Sequence, residues 1–113
     1  MDFGYNATGL VSFSIECQTD TKLYLLFDEI LTEDSHIDCL RLTSSNVLIW
    51  ELEAGHYNLI TCEPYTMRYL RFACLSGKCT IECTALRRIG FPPIDCKLID
   101  KDEKLQAIYN AAV

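Results

Sequence analysis

Seven cysteines are the residues most capable of chemistry in this 113-residue chain, and their spacing limits what they can do. Cys79 and Cys83 share a face of a predicted strand, but at ~3.3 Å per residue they lie ~13 Å apart. That separation is too long for a disulfide or a shared zinc ion. Cys74 and Cys79 flank a short hairpin connection, and this spacing fits either a cross-strand disulfide or two buried thiols. We predict no metal site and no cofactor.

The carboxylates and histidines form no pattern typical of a catalytic site. Asp28 and Glu29 are adjacent, so on a strand they face opposite sides and cannot flank one glycosidic bond. The acids at positions 33–34 fall in a predicted turn, where solvated carboxylates are common. Neither histidine has a cysteine beside it to serve as a nucleophile. We therefore assign no catalytic residue to this chain.

An aromatic and basic run at residues 65–72 is the segment best suited to contact a sugar. Aromatic faces stack on the C–H surface of a pyranose ring, and a guanidinium donates hydrogen bonds to hydroxyl groups. Tyr65, Arg68 and Tyr69 are the candidate substrate-binding residues. The same alternation of apolar and polar residues also fits the packing of a half-buried strand.

The segments that carry these residues mostly repeat with a period of two, which is typical of half-buried strands. The short turns between them indicate an all-β fold, either a sandwich or a barrel. The turn at residues 18–21 predicts that the first two strands form a hairpin. The seven predicted strands span residues 10–17, 22–28, 36–42, 47–52, 57–62, 68–74 and 78–86.

The pattern changes near residue 90, where Phe91-Pro92-Pro93 predicts a stiff connector. Asp100 stands before Glu103 at a spacing typical of a helix start, and a short helix follows. We assign residues 1–90 to a β domain and residues 91–113 to a linker and first helix. Because an isolated short helix is marginal in water, the sequence is interpreted as part of a larger protein. The apolar stripe of the helix comprises Leu105, Ile108, Tyr109 and Ala112.

Charge and hydropathy exclude two classes of partner. Ten Lys and Arg residues against sixteen Asp and Glu residues give a net charge of −6, so there is no basic stripe to follow a phosphate backbone. The longest apolar runs are far shorter than the ~18–20 residues that a membrane span needs. No basic segment followed by an apolar segment, as in an export signal, follows Met1. We expect neither nucleic acid nor membrane as a partner.

Taken in order, four segments resemble the β-sandwich domain of bacterial α-L-rhamnosidases, glycoside hydrolase family 78. Residues 2–6, with Gly9 and the strand that follows, are similar to the start of that domain. Residues 25–31 resemble an apolar family strand that ends in Glu and an aliphatic pair, and residues 64–71 resemble an aromatic strand containing Phe-Arg-Tyr. Asp95-Cys96 and the helix after it resemble the beginning of the catalytic domain.

The resemblance implies that residues 1–90 form an antiparallel two-sheet β-sandwich of the jelly-roll or concanavalin-like type. It also implies that this β-sandwich is an accessory domain without catalytic activity of its own. In that family the sandwich precedes an (α/α)6 barrel, whose acidic residues remove terminal α-L-rhamnose with inversion. No position of this chain matches those acids, so we expect the chain alone to be inactive and its partner to be the catalytic domain of the same parent chain. The resemblance implies a bacterial protein of the cytoplasm or periplasm. Ser35-His36 replaces the glycine-containing turn of the family, which leaves the sugar cleaved by the parent open.

Two other functions fit the same residues. An autonomous carbohydrate-binding module would use the aromatic run, with carbohydrate as its partner. A free-standing interaction or oligomerisation domain would use the apolar stripe of the helix.

One structural ion pair is predicted from charges at the ends of apolar runs. Glu29 ends one strand and Arg68 lies in another, so we expect a partly buried pair that joins the two strands. A buried pair of this kind costs about 3–5 kcal/mol to break, whereas an exposed one costs about 0–1 kcal/mol.

Overall fold

The computed structural model describes residues 1–41, 45–90 and 102–112, and most of them belong to one antiparallel β-sheet. The sheet has six strands and curls on itself, and one short helix follows it in the chain. The predicted all-β antiparallel class is therefore confirmed at this level. The elements are β1 (Asp2–Cys17), β2 (Thr21–Asp28), β3 (Val47–Leu52), β4 (Gly55–Ile60), β5 (Tyr65–Ser76), β6 (Cys79–Arg88) and α1 (Glu103–Ala112).

Six of the seven predicted strands are present, and the one predicted at residues 36–42 is wrong. Its described part, residues 36–41, is irregular, and Leu42 lies outside the described residues. Local hydrogen bonds replace a strand ladder here, because the Asp38 carboxylate accepts from the amide of Leu40 at 3.0 Å. Just before this segment Ser35 has a φ of 60°, which turns the chain away from an extended path.

The sheet curls because its two longest strands change neighbours along their length. The first part of β1 pairs with β5, for example at Thr8 and Thr66, whereas its later part lies between β4 and β6. The later part of β5 pairs with β2, and β3 covers the other edge of β2. Hydrogen bonding is therefore continuous from β3 through β2, β5 and β1 to β4. Because all six strands belong to one hydrogen-bonded sheet, the two separate sheets predicted from sequence are not distinguished.

Strands joined by short turns do not pair with each other, so the predicted hairpin between the first two strands is wrong. The predicted hairpin around the connection between Cys74 and Cys79 is wrong for the same reason, because β5 pairs with β2 and β6 pairs with β1. Each turn instead carries the chain from one part of the curled sheet to the part that faces it. We call the three turns at residues 18–20, 53–54 and 77–78 the turn end.

Hydrogen bonds hold the turn end together. The amide of Gln18 donates to the carbonyl of Lys78 at 2.8 Å, and the amide of Lys78 donates to the Thr19 hydroxyl at 3.0 Å. The Asp20 carboxylate accepts from the amide of Ala54 at 3.2 Å. Gly77 has a φ of 86° and packs directly against residues 20–21. The turn between β1 and β2 is thus joined to each of the other two.

The hydrophobic core lies inside the curl. The Phe13 ring of β1 meets the Trp50 ring edge-on, with centroids 5.2 Å apart, and lies 4.9 Å from the Phe72 ring. These contacts join β1 to β3 and β5 across the interior, where burial of apolar surface is the main source of stability. The buried core residues are Val11, Phe13, Ile15, Cys17, Leu23, Leu25, Phe27, Met67 and Leu70.

A bulge in β6 changes which side chains face inward. Cys79 pairs with Cys17 and residue 81 pairs with residue 15, but the register shifts so that Cys83 pairs with Ser14. Cys83 is exposed as a result. The predicted common face of Cys79 and Cys83 is therefore wrong, because a regular strand has no such extra residue.

Helix α1 is capped by an acid that lies further along the chain than the sequence predicts. The Asp102 carboxylate accepts from the amide of Lys104 at 2.8 Å and caps the helix, while Asp100 lies outside the described residues. Leu105 and Ile108 of the predicted apolar stripe are 47% and 66% exposed. The side chain of Ala112 and the predicted linker at residues 91–101 are outside the described residues. Within the described part of the chain, no helix has the length and apolarity needed to cross a membrane.

Candidate functional site

Tyr65, the first of the three predicted sugar-binding residues, packs toward the core. Its ring centroid lies 4.7 Å from that of Phe27, with the two planes at 47°. Burial raises the pKa of the Tyr65 phenol, which agrees with its half-buried position. One side of this ring is therefore occupied by protein rather than open to a ligand.

Arg68 and Tyr69, the other two predicted sugar-binding residues, lie together on the strand. The Arg68 guanidinium stands over the Tyr69 ring at 4.9 Å from its centroid. It also donates two hydrogen bonds to the Asp2 carboxylate, at 2.9 and 3.1 Å. These bonds, with a third from the amide of Gly4, lower the pKa of Asp2. The structure thus brings Arg68 and Tyr69 together with Asp2, and Tyr65 packs elsewhere.

The predicted ion pair between Glu29 and Arg68 is replaced by two others. Arg68 pairs with Asp2, as described above, whereas a carboxylate oxygen of Glu29 lies 3.9 Å from the guanidinium of Arg41. Each predicted partner contacts a different residue because the chain turns after β2. That turn places Glu29 beside Arg41 in the loop at residues 30–41 and not beside Arg68 of β5.

The most deeply buried ion pair among the described residues joins Asp28 to Arg41, and the sequence does not predict it. Asp28, the last residue of β2, is 1% exposed and accepts hydrogen bonds from Arg41, one of them at 3.0 Å from Nε. It also accepts from the amide of Glu29 at 2.7 Å. The Arg41 hydrogen bonds lower the pKa of Asp28 against the opposing effect of burial. The signal available in sequence was an acidic residue that directly ends an apolar strand, but its partner lies in an irregular loop.

Three cysteines meet inside the curl beside the turn end, and we call Cys17, Cys74 and Cys79 the thiol cluster. Cys17 and Cys79 are paired across β1 and β6, and Cys74 lies close enough to the Cys79 thiol to affect its pKa. The Cys74 thiol also donates to the carbonyl of Ser76 at 3.2 Å. Cys17 is buried, Cys79 is half-buried and Cys74 is exposed, and all three are free thiols.

Burial and its neighbours in the thiol cluster raise the pKa of Cys79 from 9.0 to about 11. Burial is the largest cause, and the hydrogen bond with Cys74 adds to it. The folded state therefore favours the neutral thiol, since a buried thiolate has lost its hydration. Toward an external reagent Cys79 is therefore a poor nucleophile at neutral pH.

We expect the free energy of unfolding to fall at alkaline pH. The contribution of Cys79 is complete below its ordinary pKa of 9.0 and is lost as the pH rises through about 11. At about 1.4 kcal/mol per pKa unit this contribution is about 3 kcal/mol. Urea unfolding under reducing conditions, compared between wild type and Cys79→Ala from pH 7 to 10.5, measures it. Equal slopes in the two proteins would contradict the expectation, and the exposed Cys83→Ala variant is the control.

Within the residues that the structure describes, no group of three or more His, Cys, Asp or Glu side chains is placed to hold a metal ion. His56 and Glu82 lie 3.0 Å apart on the exposed outer surface. An exposed pair of this kind, without a third group to orient it, supplies no catalytic constellation of the nucleophilic type.

An open cavity of about 430 Å³ lies at the turn end. Its lining includes the carboxylates of Asp20, Glu51 and Glu53, with the ammonium group of Lys22 bonded to Glu51 at 2.9 Å. Hydroxyl groups of Thr21 and Ser76 complete the polar lining. The cavity is suited to a polar ligand, but the residues that line it include no aromatic ring for stacking.

No protein-family model, characterised protein or solved structure matches this chain. A function is therefore assigned from the structure itself. Its main features are the curled antiparallel sheet, the ion pairs within it, the thiol cluster and the exposed stripe of α1.

Proposed function

We propose that this chain is a non-catalytic β domain of a glycoside hydrolase similar to the bacterial α-L-rhamnosidases. Its role is to support and dock onto an (α/α)6 catalytic domain that belongs to the same parent chain. The carrying observation is the apolar stripe of α1, where Leu105 and Ile108 are 47% and 66% exposed. An isolated helix of this length is marginal in water, so a stripe of this kind gains stability when another surface covers it.

The engagement of the polar residues supports the same proposal. Arg68 is held by Asp2 and Asp28 is held by Arg41, so these charges stabilise the domain itself. Tyr65 packs on Phe27 inside the fold. These three residues, Tyr65, Asp28 and Arg68, are thus used in structural contacts and not in a catalytic or sugar-binding site.

In this proposal the curled sheet functions as two facing layers of a jelly-roll or concanavalin-like sandwich. One layer would comprise β4, β1 and β6, and the other β3, β2 and β5. The contacts of Phe13 with Trp50 and Phe72 support this division, since they join strands of different layers through side chains.

The coding sequence that follows codon 113 tests the proposal. We expect the reading frame to continue for several hundred residues with helix-period patterning and an acid-rich loop soon after α1. The longer protein should hydrolyse 4-nitrophenyl α-L-rhamnopyranoside, and the present chain should not. A stop codon directly after Val113, or continuation into a domain without helical periodicity, would contradict the assignment.

The polar cavity at the turn end favours a second candidate, an autonomous carbohydrate-binding module. Isothermal titration of the chain with L-rhamnose and with methyl α-L-rhamnoside separates the two candidates. We expect no saturable heat, because the rings of Tyr65 and Tyr69 are already covered by Phe27 and Arg68. Saturable binding that Glu51→Gln abolishes and Glu82→Gln preserves would place a sugar in the cavity and favour the binding module.

A further inference from the structure

The thiol cluster has a geometry that the proposed function does not use. Cys74 lies two residues before the end of β5 and Cys79 begins β6, so only residues 75–78 separate them along the chain. Cys74 lies close enough to the Cys79 thiol to contribute to its raised pKa. The Cys74 sulfur also lies 3.2 Å from the carbonyl oxygen of Ser76 and 3.7 Å from that of Gly77. Its side chain is therefore held back over the turn, toward Cys79.

We propose that Cys74 and Cys79 are a reversible disulfide site, in which exposed Cys74 attacks a low-molecular-weight disulfide and half-buried Cys79 resolves the product. This proposal does not depend on the carbohydrate-related function, because it rests on the geometry of the turn end alone.

The reaction is two successive thiol–disulfide exchanges. The Cys74 thiol loses its proton to solvent, and its thiolate attacks one sulfur of the external disulfide. The external S–S bond breaks, one external thiolate leaves and takes up a proton, and Cys74 carries a mixed disulfide. The Cys79 thiol then loses its proton and attacks the Cys74 sulfur, which releases the second external thiol. The protein dithiol is oxidised by two electrons, and the external disulfide is reduced to two thiols.

Exposure and proton affinity assign the two roles. Cys74 is exposed, so an external disulfide can reach it, whereas Cys79 is half-buried beneath the turn. Burial raises the pKa of Cys79, which suits it to the second, intramolecular step and not to attack on an external disulfide. Cys17 also lies opposite Cys79, but it is buried and has no direct approach for an external disulfide.

Peptide mapping of the full chain tests the site. The folded protein is reduced, freed of reductant, treated anaerobically with oxidised glutathione, and blocked with N-ethylmaleimide. Trypsin cleaves after Arg71, Lys78 and Arg87, so Cys74 lies in the peptide of residues 72–78 and Cys79 in that of residues 79–87. We expect these two peptides to be joined by a disulfide, and we expect dithiothreitol to separate them.

Three variants assign the sulfur atoms. Cys83 shares the peptide of residues 79–87, so Cys83→Ser must retain the linkage if Cys79 is the partner. Cys79→Ser must lose it and leave Cys74 as a stable glutathione adduct. Cys74→Ser must leave Cys79 unmodified. Because Cys74 is exposed, this last variant is expected to fold even if the serine at position 79 disturbs the core.

Two results would overturn the proposal. One is a wild-type protein in which Cys74 remains a glutathione adduct while Cys79 is recovered with N-ethylmaleimide. The other is a linkage between the peptide of residues 1–22, which contains Cys17, and that of residues 79–87. Either outcome would show that the turn does not present Cys79 to Cys74.

Discussion

The Gly77→Ala variant is expected to lose about 2–5 kcal/mol of its free energy of unfolding. Gly77 has a φ of 86°, a conformation that costs an L-residue roughly 1–2 kcal/mol. A Cβ atom there would also overlap the carbonyl oxygen of Asp20 and lie 2.7 Å from the Thr21 hydroxyl oxygen. Relieving that overlap requires the turns to separate, at a cost of roughly 1–3 kcal/mol. Urea unfolding followed by circular dichroism measures the loss.

Two other glycines separate the conformational strain from the overlap. Gly4 has a similar φ of 81°, but a Cβ there would meet nothing within 4 Å. Gly4→Ala should therefore lose only the strain contribution of about 1–2 kcal/mol. Gly90→Ala has neither effect and should be nearly neutral. If Gly77→Ala were no less stable than Gly4→Ala, the close packing of the turn end would be wrong.

The Asp28→Asn variant is expected to lose about 2–3 kcal/mol at neutral pH, because it removes the charge that accepts hydrogen bonds from Arg41. The carboxylate is 1% exposed, so water does not replace those bonds within the fold. The amide group that this substitution introduces would also donate toward a cation, which adds an unfavourable contact. A double-mutant cycle with Arg41→Met isolates the contribution of the pair.

The same pair predicts the behaviour of the protein in acid. The pKa of Asp28 is lowered below its ordinary value of 3.8, so its contribution to stability is complete above that pH. It is lost as the pH falls through the lowered pKa. Wild type should therefore lose its advantage over Asp28→Asn as the pH falls below about 4. Glu51→Gln, which removes an exposed pair with Lys22, is the control and should change stability little. A constant difference between wild type and Asp28→Asn down to pH 2 would contradict a lowered pKa for Asp28 in the fold.

The strands could be predicted from sequence where one face is buried and the other is not. The period of two places Val11, Phe13 and Ile15 on one face, and all three are buried in the core. The segment at residues 36–42 also alternates, but side chains such as Asp38 bond to the nearby backbone and hold its described part in a loop. Alternation alone does not distinguish these two outcomes.

Strand partners and side-chain partners could not be predicted, because they depend on contacts between distant residues. A short turn such as that at residues 18–20 fits a hairpin and a crossing between facing strands equally well. The sequence predicts an ion pair between Glu29 and Arg68. The buried pair instead joins the neighbouring Asp28 to Arg41, since one residue decides which face of a strand a charge occupies. The bulge that exposes Cys83 likewise leaves no mark in the pattern of apolar residues.

The partners of β1 have a consequence for how the chain acquires its structure. In the described residues, β1 pairs only with β4, β5 and β6, and the strands joined by short turns do not pair with each other. No local hairpin among these strands can therefore serve as a nucleus, and distant segments must meet first, which favours refolding in milliseconds to seconds instead of microseconds. During synthesis β1 would emerge from the ribosome long before β4, β5 and β6. One of its backbone edges and its apolar face would stay exposed until β6 is released.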